Sequence, residues 1–142
     1  NKRSTPDTFY NKLDKEFWFT LDPCSTENNT KCDKYYTPED DWLKQDWSQD
    51  VVFMNPPYWR EIKKWIKKAY EESLKWAKVV CLIPSRTDTR YRHNYIFNKA
   101  SEIRFVKGRL KFWDAKNSAP FPSAVIIYEK GKDTKINTMD RD

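Results

Sequence analysis

The sequence predicts an α/β fold that ends in an antiparallel β-hairpin. Short apolar runs at residues 51–54 and 78–83 have the length of buried strands, and they flank an amphipathic stretch at 60–76. Strand, helix and strand therefore alternate, as in a sheet covered by helices. Later strand-like runs lie at 102–106, 110–113 and 123–128. The last two are separated by a loop with two prolines, and we expect them to pair as the hairpin.

The central helix has the clearest pattern. Its apolar stripe repeats at intervals of three and four residues, and consists of Ile62, Trp65, Ile66, Ala69 and Tyr70. Its basic residues are Arg60, Lys63, Lys64, Lys67 and Lys68. They indicate either a solvated helix face or a surface for DNA phosphates, and the first interpretation is the more common one.

The remaining elements are predicted from capping residues and short runs. Thr5 and Pro6 suggest a helix over residues 5–16, with Thr5 as the cap and Pro6 in the first turn. Further predicted elements are a strand over residues 17–21, a short strand-like run over 34–36, the start of a helix at 37–43 and a helix over 91–99. We expect one domain over residues 1–129 and a polar, frayed tail over 130–142.

Composition narrows the class of protein. A mean hydropathy of −0.99 is low, but 7 Trp, 8 Tyr and 8 Phe can build an aromatic core. The net charge of +6 favours a polyanionic partner. Three cysteines and one histidine suit neither a disulfide framework nor a zinc site, so we expect a reduced, intracellular protein without a metal. With only 2 glycines, a glycine-rich phosphate loop is excluded, and no apolar run is long enough for a membrane span.

The most informative motif follows the strand at 51–54 and reads Asn55-Pro56-Pro57-Tyr58. Prolines cannot continue a central strand, so a rigid loop must begin at the strand's carboxyl end. In open α/β sheets, ligands bind at that end. The motif is therefore either a simple rigid turn or part of a binding site, and its position after an apolar strand favours the site.

The chemistry of this loop suits an amino group on a flat ring. The Asn55 side-chain oxygen and the Pro56 carbonyl can each accept one N–H of such an amine. This would orient a weakly nucleophilic nitrogen for attack, without acid–base catalysis. Tyr58 could stack on the ring. A base within a duplex cannot reach such a loop, so it would have to be flipped out.

Several motifs along the chain together resemble the phage-type DNA N6-adenine methyltransferase family, the small Dam-like enzymes. The similarity spans roughly residues 4–129. Its motifs, in order, are Thr5-Pro6, 21–24, 39–41, 45–47, Asn55-Pro56-Pro57-Tyr58, 84–89, 108–110 and 117–123.

The resemblance implies a minimal Rossmann-like, S-adenosylmethionine-dependent methyltransferase sheet. The product would be S-adenosylhomocysteine, and the acceptor would be the N6 amine of a flipped-out adenine in double-stranded DNA. Asn55, Pro56, Pro57 and Tyr58 would be catalytic, and Tyr58 and Phe121 would stack on the base.

The same resemblance assigns residues to the cofactor. The positions implied to contact S-adenosylmethionine are Thr5, Pro6, Asp22, Pro23, Cys24, Asp41, Asp46 and Trp47. Thr5 and Pro6 would lie against its methionine end, and the pair Asp46-Trp47 would meet its adenine. Asp41 or Asp40 would accept the ribose hydroxyls.

The basic residues predicted to contact DNA are Arg86, Arg90, Arg109 and Lys111. Two alternatives remain open: methyl transfer to an RNA base or a protein glutamine amide, and a non-catalytic nucleic-acid-binding module. We expect a monomer or homodimer that acts in the cytoplasm of a bacterial host, or in a nucleus if the source is eukaryotic.

Overall fold

The computed structural model describes residues 5–24, 30–32, 34–36, 41, 44–56, 62–85, 90–111 and 121–142, with only the backbone described at 90 and 91. Within these ranges the helices are α1 (Asp7–Phe17), α2 (Ile62–Leu74) and α3 (Arg90–Tyr95). The strands are β1 (Leu21–Asp22), β2 (Lys34–Tyr35), β3 (Val51–Met54), β4 (Lys78–Pro84), β5 (Glu102–Lys107), β6 (Ser123–Tyr128) and β7 (Lys135–Asp140). The predicted mixed α/β class is confirmed.

The described strands form one sheet in the order β2-β1-β3-β4-β6-β5-β7. The neighbours from β2 to β4 are parallel, and β6 runs antiparallel to both β4 and β5. β7 then pairs with β5 in parallel. It follows that β1, β3, β4 and β5 all end at one end of the sheet, where β6 begins. We call this the carboxyl end of the sheet; Asp22, Asn55, Ser85 and Phe121 mark it.

The strand order reverses between β1 and β3. From β1 the chain moves outward to β2, and it then returns across β1 to form β3 on the other side. The chain therefore leaves the carboxyl ends of β1 and β3 towards opposite sides of the sheet, and we call the position between these two ends the crevice. In open α/β sheets, such a crevice is the usual ligand-binding position.

Helices cover both faces of the central strands. On one face, the Tyr10 ring of α1 packs edge-on against Phe53 at a centroid distance of 5.0 Å. On the other, Tyr70 of α2 lies 6.1 Å from Tyr128, whose hydroxyl donates a hydrogen bond to the Tyr95 carbonyl. Because both faces are covered, β6 is buried along its whole length.

The N-terminal helix differs from the prediction at both ends. Pro6 is the N-cap residue, and no side chain of the described residues forms a capping hydrogen bond there, so the predicted capping role of Thr5 is wrong. The helix continues through Phe17 and ends at Trp18, which has left-handed backbone angles. Of the predicted strand over 17–21, only Leu21 is in a strand, and β1 extends to Asp22 instead.

The C-terminal part differs more. Leu110 and Lys111 lie outside any strand, so the predicted hairpin strand is wrong there, and β6 pairs with β4 and β5 instead. The predicted frayed tail is also wrong, because its residues 135–140 form β7. This strand is almost wholly exposed at the sheet's margin, so it carries no apolar alternation by which it could be recognised.

The helix predictions have mixed outcomes. In α2 the predicted stripe is buried at Ile62, Trp65, Ile66 and Ala69. Lys68, expected on the polar surface, is instead buried. α3 ends at Tyr95 rather than at residue 99. The helix start predicted at 37–43 lies, apart from Asp41, outside the described residues. No described helix has the length and apolar character that a membrane crossing requires.

Candidate functional site at the carboxyl end of the sheet

Asn55 lies directly after β3 and joins two distant parts of the chain. Its side-chain Nδ2 donates a hydrogen bond to Thr5 Oγ1 at 2.9 Å. Thr5 is buried, with 3% of its surface exposed, and it stands just before α1. Pro56, which follows Asn55, is also buried. The first residues of the predicted catalytic motif are thus held against the beginning of the N-terminal helix.

Asp22 ends β1 and holds the loop that follows. Its carboxylate accepts hydrogen bonds from the backbone N–H groups of Cys24 and Lys31, at 3.3 and 3.2 Å. Burial raises the pKa of Asp22 to about 6, although these two hydrogen bonds act in the opposite direction. One buried carboxylate therefore holds both ends of the segment between Cys24 and Lys31.

Cys24 lies between Asp22 and Asn55. Desolvation raises the pKa of its thiol well above the usual value, and the negative charge of Asp22 adds to this effect. A backbone hydrogen bond from Asn55 acts against the shift. Because the thiolate is the nucleophilic form, Cys24 at neutral pH is a protonated, unreactive side chain that packs in the crevice.

Phe121 reaches the same end of the sheet from β6. The Ser85 N–H, just after β4, donates to the Pro122 carbonyl at 2.8 Å. This bond fixes the entry into β6 beside the exit of β4. The Phe121 side chain packs into the hydrophobic core and exposes 7% of its surface.

The structure does not bring Asp46 and Trp47 to this site. Both precede β3, so they lie near the opposite, amino end of the sheet. Trp47 is fully buried, and its ring stacks with Trp65 at 6.4 Å. Asp46 is exposed and accepts a hydrogen bond from the Ser48 N–H at 2.9 Å. The predicted contact of this pair with the cofactor's adenine therefore receives no support from its position.

The other predicted residues are scattered. Asp41 is on the surface, with its carboxylate 3.6 Å from Lys44 Nζ. Arg109 and Lys111 are exposed and follow β5, so they lie at the carboxyl end of the sheet. Pro57, Tyr58, Arg86 and the side chain of Arg90 lie outside the described part of the chain.

Lys31 is a site residue that sequence reasoning missed. Its backbone N–H holds Asp22, and its ammonium group pairs with Asp7 in the first turn of α1. No motif marks it, because both partners are distant in sequence. Among the described residues, no group of three or more His, Cys, Asp or Glu side chains is arranged to hold a metal ion.

Fold and site together define a class of protein. A sheet with helices on both faces, with polar groups at the point where its strand order reverses, is typical of α/β proteins that bind a ligand at the carboxyl ends of their strands. The sequence matches the family described as DNA N-6-adenine-methyltransferase (Dam) over residues 1–138. The chain belongs to this family, as its motifs predicted.

Two curated proteins show the same relationship. The chain is 29% identical over 94 residues to a DNA N-6-adenine-methyltransferase of Haemophilus phage HP1, an alignment that covers 66% of this chain and 54% of that protein. It is 32% identical over 93 residues to a DNA N-6-adenine-methyltransferase of Escherichia phage T1, covering 65% of this chain and 38% of that one. The aligned part thus spans about half or less of these relatives.

Proposed function

We propose that this chain transfers a methyl group from S-adenosylmethionine to the N6 amine of an adenine in double-stranded DNA. The observation that carries the proposal is the position of Asn55. It follows β3 at the crevice beside β1, with its side chain held by Thr5 and a buried proline next to it. The family and the names of its phage relatives point to the same chemistry.

In this proposal, Asn55 and Pro56 bind the amine of the target base. The Asn55 Oδ1 atom and the Pro56 carbonyl each accept one N–H, which directs the nitrogen lone pair out of the ring plane. S-adenosylmethionine, when bound, would supply the methyl group and leave as S-adenosylhomocysteine: the sulfur–methyl bond breaks as the nitrogen–methyl bond forms, and the nitrogen releases one proton to solvent. The protein contributes orientation and hydrogen bonds.

The crevice has residues that suit this cofactor. S-adenosylmethionine carries a positively charged sulfonium, and Asp22 places a carboxyl group at the end of β1. Thr5 and Cys24 each form a hydrogen bond with Asn55, and Pro6 and Pro23 are their neighbours in sequence. We propose these five as its contacts, within a Rossmann-like sheet. Asp46 and Trp47 lie at the other end of β3.

The adenine must leave the duplex to reach this loop. Tyr58 and Phe121 are the proposed stacking residues. Since Phe121 exposes little of its ring, stacking on it would require the ring to become more accessible. Arg86, Arg90, Arg109 and Lys111 are the proposed contacts to DNA phosphates, and the exposed positions of Arg109 and Lys111 suit this role.

The test is transfer of labelled methyl groups. The chain is incubated with methyl-labelled S-adenosylmethionine and, in separate reactions, with duplex DNA, RNA or a glutamine-containing peptide. The expected result is N6-methyladenine in the DNA. Label in RNA or peptide alone would favour another acceptor, and salt-dependent DNA binding without any transfer would favour a non-catalytic module.

A matched pair of variants links the activity to the site. Asn55→Ala is expected to abolish transfer and to leave cofactor binding largely intact. Asn11→Ala removes the same amide from an exposed position on α1 and should have no effect. Full activity of Asn55→Ala would contradict the proposal.

A further inference from the structure

The hydrogen bond between Asn55 and Thr5 has a defined direction. Asn55 Nδ2 is the donor and Thr5 Oγ1 the acceptor, at 2.9 Å, across 50 residues of sequence. A primary amide has a donor end, Nδ2, and an acceptor end, Oδ1. With Nδ2 bound to Thr5, the Oδ1 atom is left on the other side of the amide group.

The two ends of the amide are not equivalent for the proposed reaction. The N6 amine of adenine presents N–H donors, so it can be bound by Oδ1 and not by Nδ2. In the reversed orientation, the Nδ2 donor would face the N–H donors of the adenine amine. A buried donor that is left without an acceptor costs about 1–3 kcal/mol. The structure has the amide in the orientation that the reaction requires, because Nδ2 and not Oδ1 is the atom bound to Thr5.

We propose that Thr5 is a positioning residue, which holds the Asn55 amide with its oxygen directed to the amine of the target base. This inference rests on the proposed function. Thr5 also stands among the proposed contacts of the cofactor, and the inference makes orientation of the catalytic amide its main role.

The surroundings of Thr5 suit such a role. The residue is almost fully buried, and the next residue is Pro6, whose ring restricts the backbone. The Pro6 carbonyl accepts the N–H of Tyr10 at 3.0 Å, so it forms part of the first turn of α1. Phe9 and Leu13 anchor this helix in the core. The Thr5 hydroxyl is thus attached to a rigid element, as accurate positioning requires.

The first test compares Thr5→Val with Thr5→Ser. Valine keeps the shape of threonine but cannot accept the hydrogen bond, whereas serine keeps the hydroxyl. At saturating cofactor and DNA, Thr5→Val is expected to lower kcat roughly 10-fold to 100-fold, with little change in the KM for either substrate. Thr5→Ser should restore most of the rate. Thermal unfolding of both variants checks that the fold is retained.

The alternative role predicts a different pattern. If Thr5 mainly contacts the cofactor, Thr5→Val raises the Kd for S-adenosylmethionine and leaves kcat at saturation unchanged. That result would overturn the inference. Equal losses of kcat in Thr5→Val and Thr5→Ser would also overturn it, because only one of them lacks the acceptor.

A double-mutant cycle gives an independent criterion. In Asn55→Asp the side chain has two equivalent oxygens, so its orientation no longer matters. Adding Thr5→Val to Asn55→Asp should then lower the rate by less than about threefold. The same large loss in both backgrounds would show that Thr5 acts in some way other than orienting the amide.

An observation that does not depend on activity separates this inference from the proposed function. In protein labelled with ¹⁵N-asparagine, the Asn55 side-chain NH₂ signals are assigned by their loss in Asn55→Asp. One of the two protons should show the downfield shift of a hydrogen bond in the wild type and in Thr5→Ser, and lose it in Thr5→Val. Unchanged signals in Thr5→Val would overturn the positioning role. If the Asn55 signals change as expected but the protein transfers no methyl group, the result would instead contradict the proposed function.

Discussion

The buried carboxylate of Glu72 accepts a hydrogen bond from the backbone N–H of Trp47 at 2.6 Å. The same carboxylate lies 2.6 Å from Lys75 Nζ and 3.4 Å from Lys68 Nζ. Lys68 in turn donates to the Gln45 carbonyl at 2.6 Å. This cluster ties the segment before β3 to α2. It explains why Trp47 and Lys68 are buried, whereas the sequence suggested a cofactor contact and a solvated lysine.

Replacing Glu72 by Gln should therefore destabilise the fold. Lys68 would keep its charge in a buried position without its carboxylate, and loss of such a partner costs about 2–4 kcal/mol. The free energy of unfolding in urea measures the effect. Glu71→Gln removes the same charge from the exposed neighbouring position and should cost less than about 0.5 kcal/mol. Similar losses in both variants would contradict a role for the buried cluster.

A second charged group connects α1 to the sheet. Arg104 on β5 binds both carboxylate oxygens of Glu16, at 2.8 and 2.6 Å, and donates from Nε to Glu102 at 2.8 Å. Arg104→Met should cost about 2–3 kcal/mol, because Glu102 is buried and loses its counter-charge. Glu16→Gln, at a half-exposed position, should cost about 1 kcal/mol or less. Chemical denaturation of both variants tests this order, and the reverse order would contradict it.

Asp22 predicts a specific dependence of stability on pH. Its pKa is raised from 3.8 to about 6, so the folded state binds its proton more tightly than the unfolded state does. The stability from this group is fully present below pH 4, and is lost as the pH rises through 6. The shift corresponds to about 3 kcal/mol.

Asp22→Asn removes this titration, so the difference between the wild type and this variant isolates the contribution of Asp22. The free energy of unfolding of the wild type, minus that of Asp22→Asn, should fall by up to about 3 kcal/mol between pH 4 and pH 7.5. Urea unfolding at several pH values measures the difference, in which contributions from the shared carboxylates cancel. A difference that is constant with pH would refute the raised pKa.

If DNA binds at the proposed surface, charges at the carboxyl end of the sheet should affect DNA binding more than charges at the opposite end. Arg109→Ala with Lys111→Ala removes two charges at the carboxyl end, and should weaken DNA binding and reduce the dependence of log Kd on log salt by about 2. Lys130→Ala with Lys132→Ala removes two charges at the opposite end, after β6. This control should change the salt dependence little. Equal effects of the two pairs would argue against a localised surface.

Local sequence patterns predicted those helices and strands whose buried residues form a continuous apolar run or a regularly spaced apolar stripe. The strand at 51–54 has the predicted bounds, since an apolar run followed by two prolines leaves few other conformations. α2 follows its apolar period within two residues at each end. The position of Asn55 at the carboxyl end of β3 follows from the same reasoning.

Elements without such a pattern were missed. β7 is exposed along most of its length, and its stability depends on pairing with β5, some thirty residues earlier. The loop held by Asp22 likewise depends on a bond to the Lys31 N–H, which has no side-chain signature. The pair Asp46-Trp47 belongs to one of the motifs in the sequence, but its position in the fold is set by the hydrogen bond from the Trp47 N–H to Glu72 on α2.

The sequence by itself determined the α/β class, the strand that carries Asn55 and the family, because each depends on local order and residue type. The tertiary structure decided which distant groups meet: Thr5 with Asn55, Lys31 with Asp22, and Trp47 with Glu72. The physical reason is that these hydrogen bonds join residues on different elements. Their geometry is set by how the sheet and its helices pack, and no local spacing along the chain encodes it.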